Sequence, residues 1–210
     1  MQGSSSRRLW KELRKQGIMC GKNRVARLMR ENDLRSIRGK KFKATTNSKH
    51  DHPVAPNLLN QDFTVNQPNT VLVSDITYIW TFAGWLYLCV MLDLFKRQVV
   101  GWSISFRMTQ DLVLNALNQV IKNQRPAPGL IFHSDRGSQY AATKVRELLQ
   151  KHEFVQSMSK KGDCYDNAVA ESFFATIKTE CVYPNVFYSR DQAISEIFEY
   201  IEIYYNRQRI

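Results

Sequence analysis

The sequence lacks the features that mark membrane proteins and disulfide-stabilised secreted proteins. No apolar run approaches the ~18–20 residues of a membrane span, and serines and arginines stand near the start where a signal peptide would have an apolar core. The four cysteines, Cys20, Cys89, Cys164 and Cys181, form no C-x-x-C pair. This scatter argues against a disulfide framework or a zinc site, so we expect a reduced cytoplasmic protein without a membrane partner.

Acidic side chains are scarce in the first quarter of the chain. Residues 1–50 carry 15 Lys and Arg against 3 Asp and Glu, a balance of +12, whereas residues 51–210 have a balance of −1. All of the positive excess therefore lies in one segment. Such asymmetry favours a nucleic-acid partner, because binding to phosphates releases counterions. A solvated basic tail is the alternative.

The basic segment has the pattern of two short helices. One helix is predicted over Ser4–Gln16, and Gly17 ends it; a second is predicted over Lys22–Asn32. The second helix has an apolar stripe of Val25, Leu28 and Met29 and candidate DNA contacts at Arg24, Arg27 and Arg30. Because two short helices around a glycine-bearing turn are typical of a helix-turn-helix, we expect residues 1–35 to form a small DNA-binding unit. A helical hairpin that packs on the core without contacting DNA is the alternative.

Two further segments follow this unit. Residues 36–69 begin basic and end rich in Asn, Gln and Pro, which predicts an extended linker that buries no core. From residue 70 strand and helix patterns are interspersed, which predicts a mixed α/β sheet over residues 70–210. The predicted strands are Val71–Trp80, Trp85–Leu94, Arg97–Phe106, Leu130–Ser134 and Phe154–Met158. The predicted helices run from the Thr109 cap to Asn123, over Ala141–Lys151, over Asn167–Val182 and from the Ser189 cap to Asn206.

Three acidic residues stand where a catalytic metal site could form. Asp75 lies within the first apolar strand, Asp135 ends the fourth, and Glu171 lies near the start of a helix. Three oxygen ligands on rigid elements suit Mg²⁺, and two such ions can activate the attacking oxygen and stabilise the leaving oxygen of a phosphoryl displacement. Each acid also has a structural alternative: Asp75 could pair with an arginine, Asp135 could shape a turn and Glu171 could complement the helix dipole.

The spacing of these acids and the sequence around them resemble a known family. Thirty-five residues separate Asp135 from Glu171, and Lys178 follows seven positions later, as in the D,D(35)E signature of retroviral-type integrases and insertion-sequence transposases. The flanking segments Ser74–Tyr78, Tyr87–Asp93, His133–Tyr140 and Tyr204–Arg207 are similar to the catalytic OrfB product of insertion-sequence family three. The resemblance covers nearly the whole chain.

This resemblance implies both a fold and a mechanism. The fold is ribonuclease-H-like, a mixed five-stranded sheet flanked by helices and preceded by the small basic helical unit. In the implied reaction Asp75, Asp135 and Glu171 bind two Mg²⁺ ions, for which Mn²⁺ can substitute, and the enzyme cuts and joins double-stranded DNA. Lys178, Lys160, Lys161 and Asn167 are further candidate DNA contacts. The resemblance also implies a bacterial, nucleoid-associated enzyme that is active as a homo-oligomer.

Two rival functions and two departures accompany the resemblance. A catalytically inactive or truncated DNA-binding remnant would lack strand cleavage, and a structure-specific nuclease of the same fold would cut DNA without joining it. Relatives usually continue beyond the Asn206–Ile210 segment and often carry more residues upstream, so we expect a trimmed form. Asp93 stands at the end of the second predicted strand, where a metal ligand could also lie. The resemblance does not make it a ligand, and we expect a structural role for it. Asp166 is a reserve candidate ligand.

Overall fold

An N-terminal helical pair precedes a single β-sheet with helices on both faces. The computed structural model describes residues 5–34, 51–160 and 167–209. The helical pair consists of α1 (Ser6–Lys15) and α2 (Lys22–Glu31). The Ser5 hydroxyl accepts a hydrogen bond from the Arg8 backbone N–H and caps α1, as expected for a serine at this position.

Five strands form the sheet in the order β3-β2-β1-β4-β5. Neighbouring pairs are antiparallel from β3 to β1 and parallel from β1 to β5. The strands are β1 (Val71–Thr81), β2 (Gly84–Asp93), β3 (Val99–Ser105), β4 (Ile131–Ser134) and β5 (Val155–Met158). The mixed sheet and the antiparallel meander at its start are as predicted, and the strand bounds differ by one or two residues.

Side chains of β1 point alternately to the two faces of the sheet, and the apolar core is accordingly divided into two layers. Val71, Val73 and Ile79 belong to the layer under the C-terminal helices, whereas Leu72 belongs to the layer under the central helices. Successive side chains of a strand point to opposite faces, so a strand that is apolar almost throughout must be covered on both sides. Central β1 meets this condition.

In the described part of the chain, five helices follow the meander or alternate with the later strands. They are α3 (Gln110–Gln124), α4 (Ser138–Ala141), α5 (Thr143–Lys151), α6 (Ala168–Ile177) and α7 (Arg190–Phe198). α6 continues as a π-helix over Lys178–Val182, and α7 continues as one over Glu199–Tyr205. Single α-helices were predicted in both places, and the short α4 was not predicted.

Two contacts fix helices against the sheet. Gly101 of β3 lies so close to α3 that an added Cβ would stand 2.6 Å from the Ala116 carbonyl oxygen and 2.5 Å from a Val120 methyl. Near the C-terminus, the Asn206 side chain hydrogen-bonds both to the Val99 N–H (3.0 Å) and to the Val99 carbonyl (2.9 Å). The second contact satisfies the backbone of an edge strand and explains the asparagine of the Tyr204–Arg207 segment.

Residues 51–69 correct the expectation of an extended linker that buries no core. As predicted, this part contains no helix or strand, but Leu59 is buried in the layer under the C-terminal helices. The backbone N–H of Leu58 donates to the Ser157 hydroxyl at 2.9 Å, and that of Met158 donates to the Pro56 carbonyl at 3.2 Å. The segment thus covers the β5 side of the sheet. Residues 35–50 lie outside the described part of the chain.

The helical pair has a thin core and contacts the C-terminal helices through α1. Only Val25 and Met29 are buried in α2, while Leu28, predicted to share their stripe, is 44% exposed. The Arg8 guanidinium donates to Glu180 and to the Tyr204 hydroxyl. Among the described residues, none of the helices is long and apolar enough to cross a membrane.

Candidate active site

Two carboxylates lie side by side at the centre of the sheet. Asp75 is in the middle of β1, and Asp135 directly follows Ser134, the last residue of β4. The two strands are parallel, with Val73 opposite His133. Asp75 and Asp135 each come two residues after that paired position, so the register places them next to one another.

Helix α6 brings a third carboxylate to this place. Asn167, at the start of the helix, donates from Nδ2 to the Ser74 carbonyl at 3.4 Å and so ties α6 to β1 beside Asp75. Glu171 lies in the first turn of α6 and is half-buried. Apolar side chains of the helix anchor it on the sheet; those fully or almost fully buried are Val169, Ala170, Phe173, Phe174 and Ile177.

The carboxylates of Asp135 and Glu171 act electrostatically on Asp75. Burial raises the pKa of Asp75 well above its usual value, and the negative charges of Asp135 and Glu171 raise it further. A hydrogen bond from the Ile76 backbone N–H to Asp75 Oδ1 (2.7 Å) and the charge of Lys178 act in the opposite direction. Burial also raises the pKa of Glu171. An acid whose pKa is raised by like charges favours a cation as a neighbour.

Lys178 supplies one positive charge at the edge of this site. It follows Glu171 by seven residues, about two helical turns, and its Nζ lies 4.8 Å from the centre of the Tyr78 ring. Burial lowers the pKa of Lys178, and the charge of Asp75 partly offsets that effect. The lysine therefore lies between the carboxylates and an aromatic ring of β1.

The donor set is oxygen-only, which suits a hard divalent cation such as Mg²⁺. Within residues 5–34, 51–160 and 167–209, no three Asp, Glu, His or Cys side chains are already close enough to enclose an ion. Asp135 Oδ1 accepts a hydrogen bond from the Gly137 N–H at 2.9 Å, and this bond holds one of its oxygens in the turn after β4. The chemistry of the three acids thus fits the ion that the sequence predicts.

The structural alternatives for the three acids are partly realised. Asp135 does shape a turn, and Glu171 does stand in the first turn of its helix. For Asp75, the cation that lowers its pKa is Lys178 rather than an arginine. Asp93, at the end of β2, is fully buried and accepts hydrogen bonds from the backbone N–H groups of Asn69 (2.5 Å) and Lys96 (2.7 Å), a structural arrangement.

The predicted DNA contacts are found in different settings. Arg24, Arg27 and Arg30 are exposed on α2, and Arg27 forms an ion pair with Glu31 at 3.6 Å. Lys160 is exposed just after β5, whereas Lys161 and the reserve candidate Asp166 lie outside the described residues.

Asn167, a predicted DNA contact, is buried at the start of α6. It is 5% exposed, and its Nδ2 donates to the Ser74 carbonyl, so its side chain also positions α6, while its contact with DNA stays a prediction. Its place in the sequence, directly before the glutamate helix, is equally typical of a residue that anchors a helix start.

A buried polar network behind Asp135 was not predicted as part of the site. The imidazole of fully buried His133 hydrogen-bonds through Nδ1 to Ser157 (2.8 Å) and through Nε2 to Ser159 (3.3 Å), joining β4 to β5. Arg136 donates from Nε to the Ser159 carbonyl at 2.7 Å. This network holds the end of β4 in place and therefore fixes the position of Asp135. The His-Ser-Asp-Arg order of residues 133–136 is the only signal for it in the sequence.

Family models match three parts of the chain. An integrase core domain model covers residues 65–164, and a second integrase core domain model covers residues 171–210. An HTH-like domain model covers residues 6–42. The site residues on β1 and β4 lie within the first match, and Glu171 lies at the start of the second.

Two curated proteins are similar along nearly the whole chain. The insertion element IS600 31 kDa protein of Shigella sonnei is 50% identical over 204 residues, which is 97% of this chain and 75% of that protein. The transposase InsF for insertion sequence IS3A of Escherichia coli strain K12 is 43% identical over 202 residues, 96% of this chain and 70% of that protein.

Solved structures share the fold at low sequence identity. A chain of the simian T-cell lymphotropic virus intasome in complex with the PP2A regulatory subunit B56 gamma matches with a TM-score of 0.56 and 16% identity, over 88% of this chain and 62% of that one. The HTLV-2 integrase catalytic core domain in complex with magnesium matches with a TM-score of 0.50 and 19% identity, over 65% of this chain and 88% of that one.

Proposed function

The chain belongs to the IS3 family of insertion-sequence transposases, and on that premise we propose that it cuts and joins DNA with Asp75, Asp135 and Glu171. The observation that carries the proposal is that the register sets Asp75 beside Asp135 and that Asp135 and Glu171 both act on the buried Asp75. Burial raises the pKa of Asp75, and the negative charges of Asp135 and Glu171 raise it further, a condition that a divalent cation relieves.

The three acids would hold Mg²⁺, with Mn²⁺ as a substitute. Support comes from their oxygen-only chemistry and from the magnesium named with the HTLV-2 integrase core, whose fold this chain shares. When bound, two such ions lower the pKa of an attacking water and stabilise the charge on the leaving oxygen. No nucleotide cofactor and no covalent link between protein and DNA are needed.

The chain's own residues divide the remaining tasks. Lys178 would hold a DNA phosphate beside the carboxylates, because it is a half-buried cation next to Asp75. Asn167 would keep Glu171 in register with β1 through its bond to the Ser74 carbonyl. The network around His133 would keep Asp135 at the end of β4.

The N-terminal unit would supply affinity for the DNA backbone. Arg24, Arg27 and Arg30 are exposed on α2, and residues 1–50 carry the whole excess of positive charge. Contacts of this kind position DNA and make binding depend on salt concentration. The dimeric form named for the HTLV-2 integrase catalytic core, whose fold this chain shares, supports a homo-oligomer as the active form.

Cleavage of labelled DNA that carries candidate element ends tests the proposal. With Mg²⁺ or Mn²⁺, the wild-type chain should release a nicked product with a free 3′-hydroxyl and then a joined product. Asp135→Asn should give neither, while its affinity for the same DNA stays within about twofold. Cleavage by Asp135→Asn at the wild-type rate would refute the assignment of Asp135.

A further inference from the structure

One half of a buried amide beside the candidate active site makes no hydrogen bond. Asn167 is 5% exposed; among the residues that the structure describes, its Nδ2 donates to the Ser74 carbonyl at 3.4 Å, while its Oδ1 meets no donor. A side-chain amide can donate two hydrogen bonds and accept two. Because a buried acceptor without a donor costs stability, an oxygen in this position indicates a ligand that the site takes.

The fold places this amide where two parallel strands stop pairing. Pairing of β1 with β4 ends at Val73, and the Ser74 carbonyl, which holds Asn167, comes next along β1. Asp75 follows on the same strand, level with Asp135 after the end of β4. Ligands of open α/β sheets bind in the crevice beyond the carboxyl ends of parallel strands. The amide of Asn167 therefore lies at the crevice in which the two aspartates meet.

Helix α6 sets the same amide beside Glu171. Asn167 precedes Glu171 by four residues, about one helical turn, so the two side chains share one side of the helix. Apolar side chains pack α6 on the sheet from a different side; among them are Val169, Phe173 and Ile177. Asn167 thus lies on the acidic side of α6, away from the apolar contact that anchors the helix.

The acids of the site leave part of a metal shell to water. One oxygen of Asp75 accepts a hydrogen bond from the Ile76 N–H, and one oxygen of Asp135 accepts a hydrogen bond from the Gly137 N–H. Mg²⁺ prefers an octahedral shell and keeps several waters when carboxylates bind it. The hydrogens of such waters need acceptors, and the residues that supply them contribute to metal affinity. A buried oxygen without a donor, next to the acids, meets this need.

We propose that Asn167 Oδ1 accepts a hydrogen bond from a water on the divalent ion that Asp75, Asp135 and Glu171 would bind. This inference rests on the proposed function and adds a positioning residue to its metal site. Asn167 acts on the ion through that water, and its Nδ2 bond to the Ser74 carbonyl holds the oxygen in place. The contact requires the metal but not DNA, which separates it from the predicted DNA contact of the same side chain.

Binding of Mn²⁺ to the full chain without DNA, followed by the loss of the free-ion electron paramagnetic resonance signal, tests the inference. Asn167→Ala removes the oxygen and should weaken Mn²⁺ binding about tenfold, the lower end of the effect of losing such a partner. Asn167→Asp keeps an oxygen but not the Nδ2 donor, so it should bind Mn²⁺ at least as tightly as the wild type. Val169→Ala is the matched control, because it loosens the packing of α6 but keeps the amide, and it should leave the affinity unchanged.

Three results would overturn the inference. Unchanged affinity in Asn167→Ala would leave the oxygen to a DNA group, and weaker binding by Asn167→Asp would assign the effect to the Nδ2 bond. Equal losses in Asn167→Ala and Val169→Ala would assign it to the position of the helix.

Asp75→Asn, measured in parallel, separates this inference from the proposed function. If Asp75→Asn abolishes Mn²⁺ binding while Asn167→Ala does not change it, the inference alone fails. If Asp75→Asn leaves Mn²⁺ binding unchanged, the ion binds elsewhere, and the proposed metal site fails together with the inference.

Discussion

Replacing Asp75 with Asn should stabilise the fold in the absence of divalent metal while it abolishes catalysis. Asp75 is 7% exposed and stands beside Asp135 on neighbouring strands, about 5 Å apart. At an effective dielectric constant of about 20, two full charges at that distance repel by about 3 kcal/mol, and Lys178 offsets part of this. An asparagine keeps an oxygen for the Ile76 N–H and removes the charge, so we expect a gain of about 1–3 kcal/mol in the free energy of unfolding.

Thermal unfolding in EDTA measures this gain, which should raise the midpoint by about 2–12 °C for a chain of this size. The sign of its pH dependence follows from the raised pKa of Asp75. The folded state holds the proton more tightly than the unfolded state, so the wild type loses stability as pH rises from near 3.8 through the higher folded pKa. The advantage of Asp75→Asn should therefore be small in acid and largest at alkaline pH.

A second buried aspartate provides the matched control. Asp93 accepts one backbone N–H bond on each carboxylate oxygen, and Asp93→Asn keeps only one acceptor oxygen, so it should lower the free energy of unfolding by about 1–3 kcal/mol. Opposite signs for the two variants support the electrostatic account of the site. A lower or unchanged midpoint for Asp75→Asn in EDTA would refute it.

Three further variants test contacts that hold the elements together. Glu180→Ala should lower the free energy of unfolding by about 2–3 kcal/mol, because this carboxylate accepts hydrogen bonds from Arg8 and from the Tyr200 hydroxyl. Its control, Glu196→Ala at an exposed position, should lower it by less than about 0.5 kcal/mol. Equal effects of the two variants in urea titrations would contradict the proposed role of the Glu180 contacts. Gly101→Ala should lower the unfolding free energy by about 3 kcal/mol or more, since its methyl would meet the backbone of α3; a calorimetric midpoint like that of the wild type would count against this close packing. Asn206→Ala should lower the free energy of unfolding by about 1–2 kcal/mol and speed hydrogen exchange of the Val99 amide, because it removes the side-chain bonds to the Val99 backbone. Unchanged exchange at Val99 would show that these bonds do not protect the edge strand.

The strands could be predicted, and the three acids could be proposed as the site, because their signals lie in the sequence itself. Val71–Thr81 is β-branched and aromatic almost throughout, and the spacing from Asp135 to Glu171 is a property of the chain itself. The integrase core and helix-turn-helix-like matches confirm the predicted family, and the five-stranded sheet confirms the predicted fold.

What could not be predicted depends on contacts distant in the sequence. Leu59 is buried only because the sheet offers it a surface, and a segment rich in Asn and Pro gives no sign of that. Asn167 looks like a polar loop residue until its amide is seen bonded to the Ser74 carbonyl. The π-helical ends of α6 and α7 likewise follow from how these helices pack, since their sequence pattern is that of ordinary helices.

The most direct test of the central claim is strand cleavage and joining by a Glu171→Gln variant beside the wild type, on DNA with candidate element ends and with Mg²⁺ or Mn²⁺. Glutamine keeps the size of the side chain and its place in the first turn of α6 but removes its charge. The account predicts metal-dependent nicking and joined products from the wild type and neither from Glu171→Gln, with DNA affinity retained. Products from Glu171→Gln at the wild-type rate would contradict it.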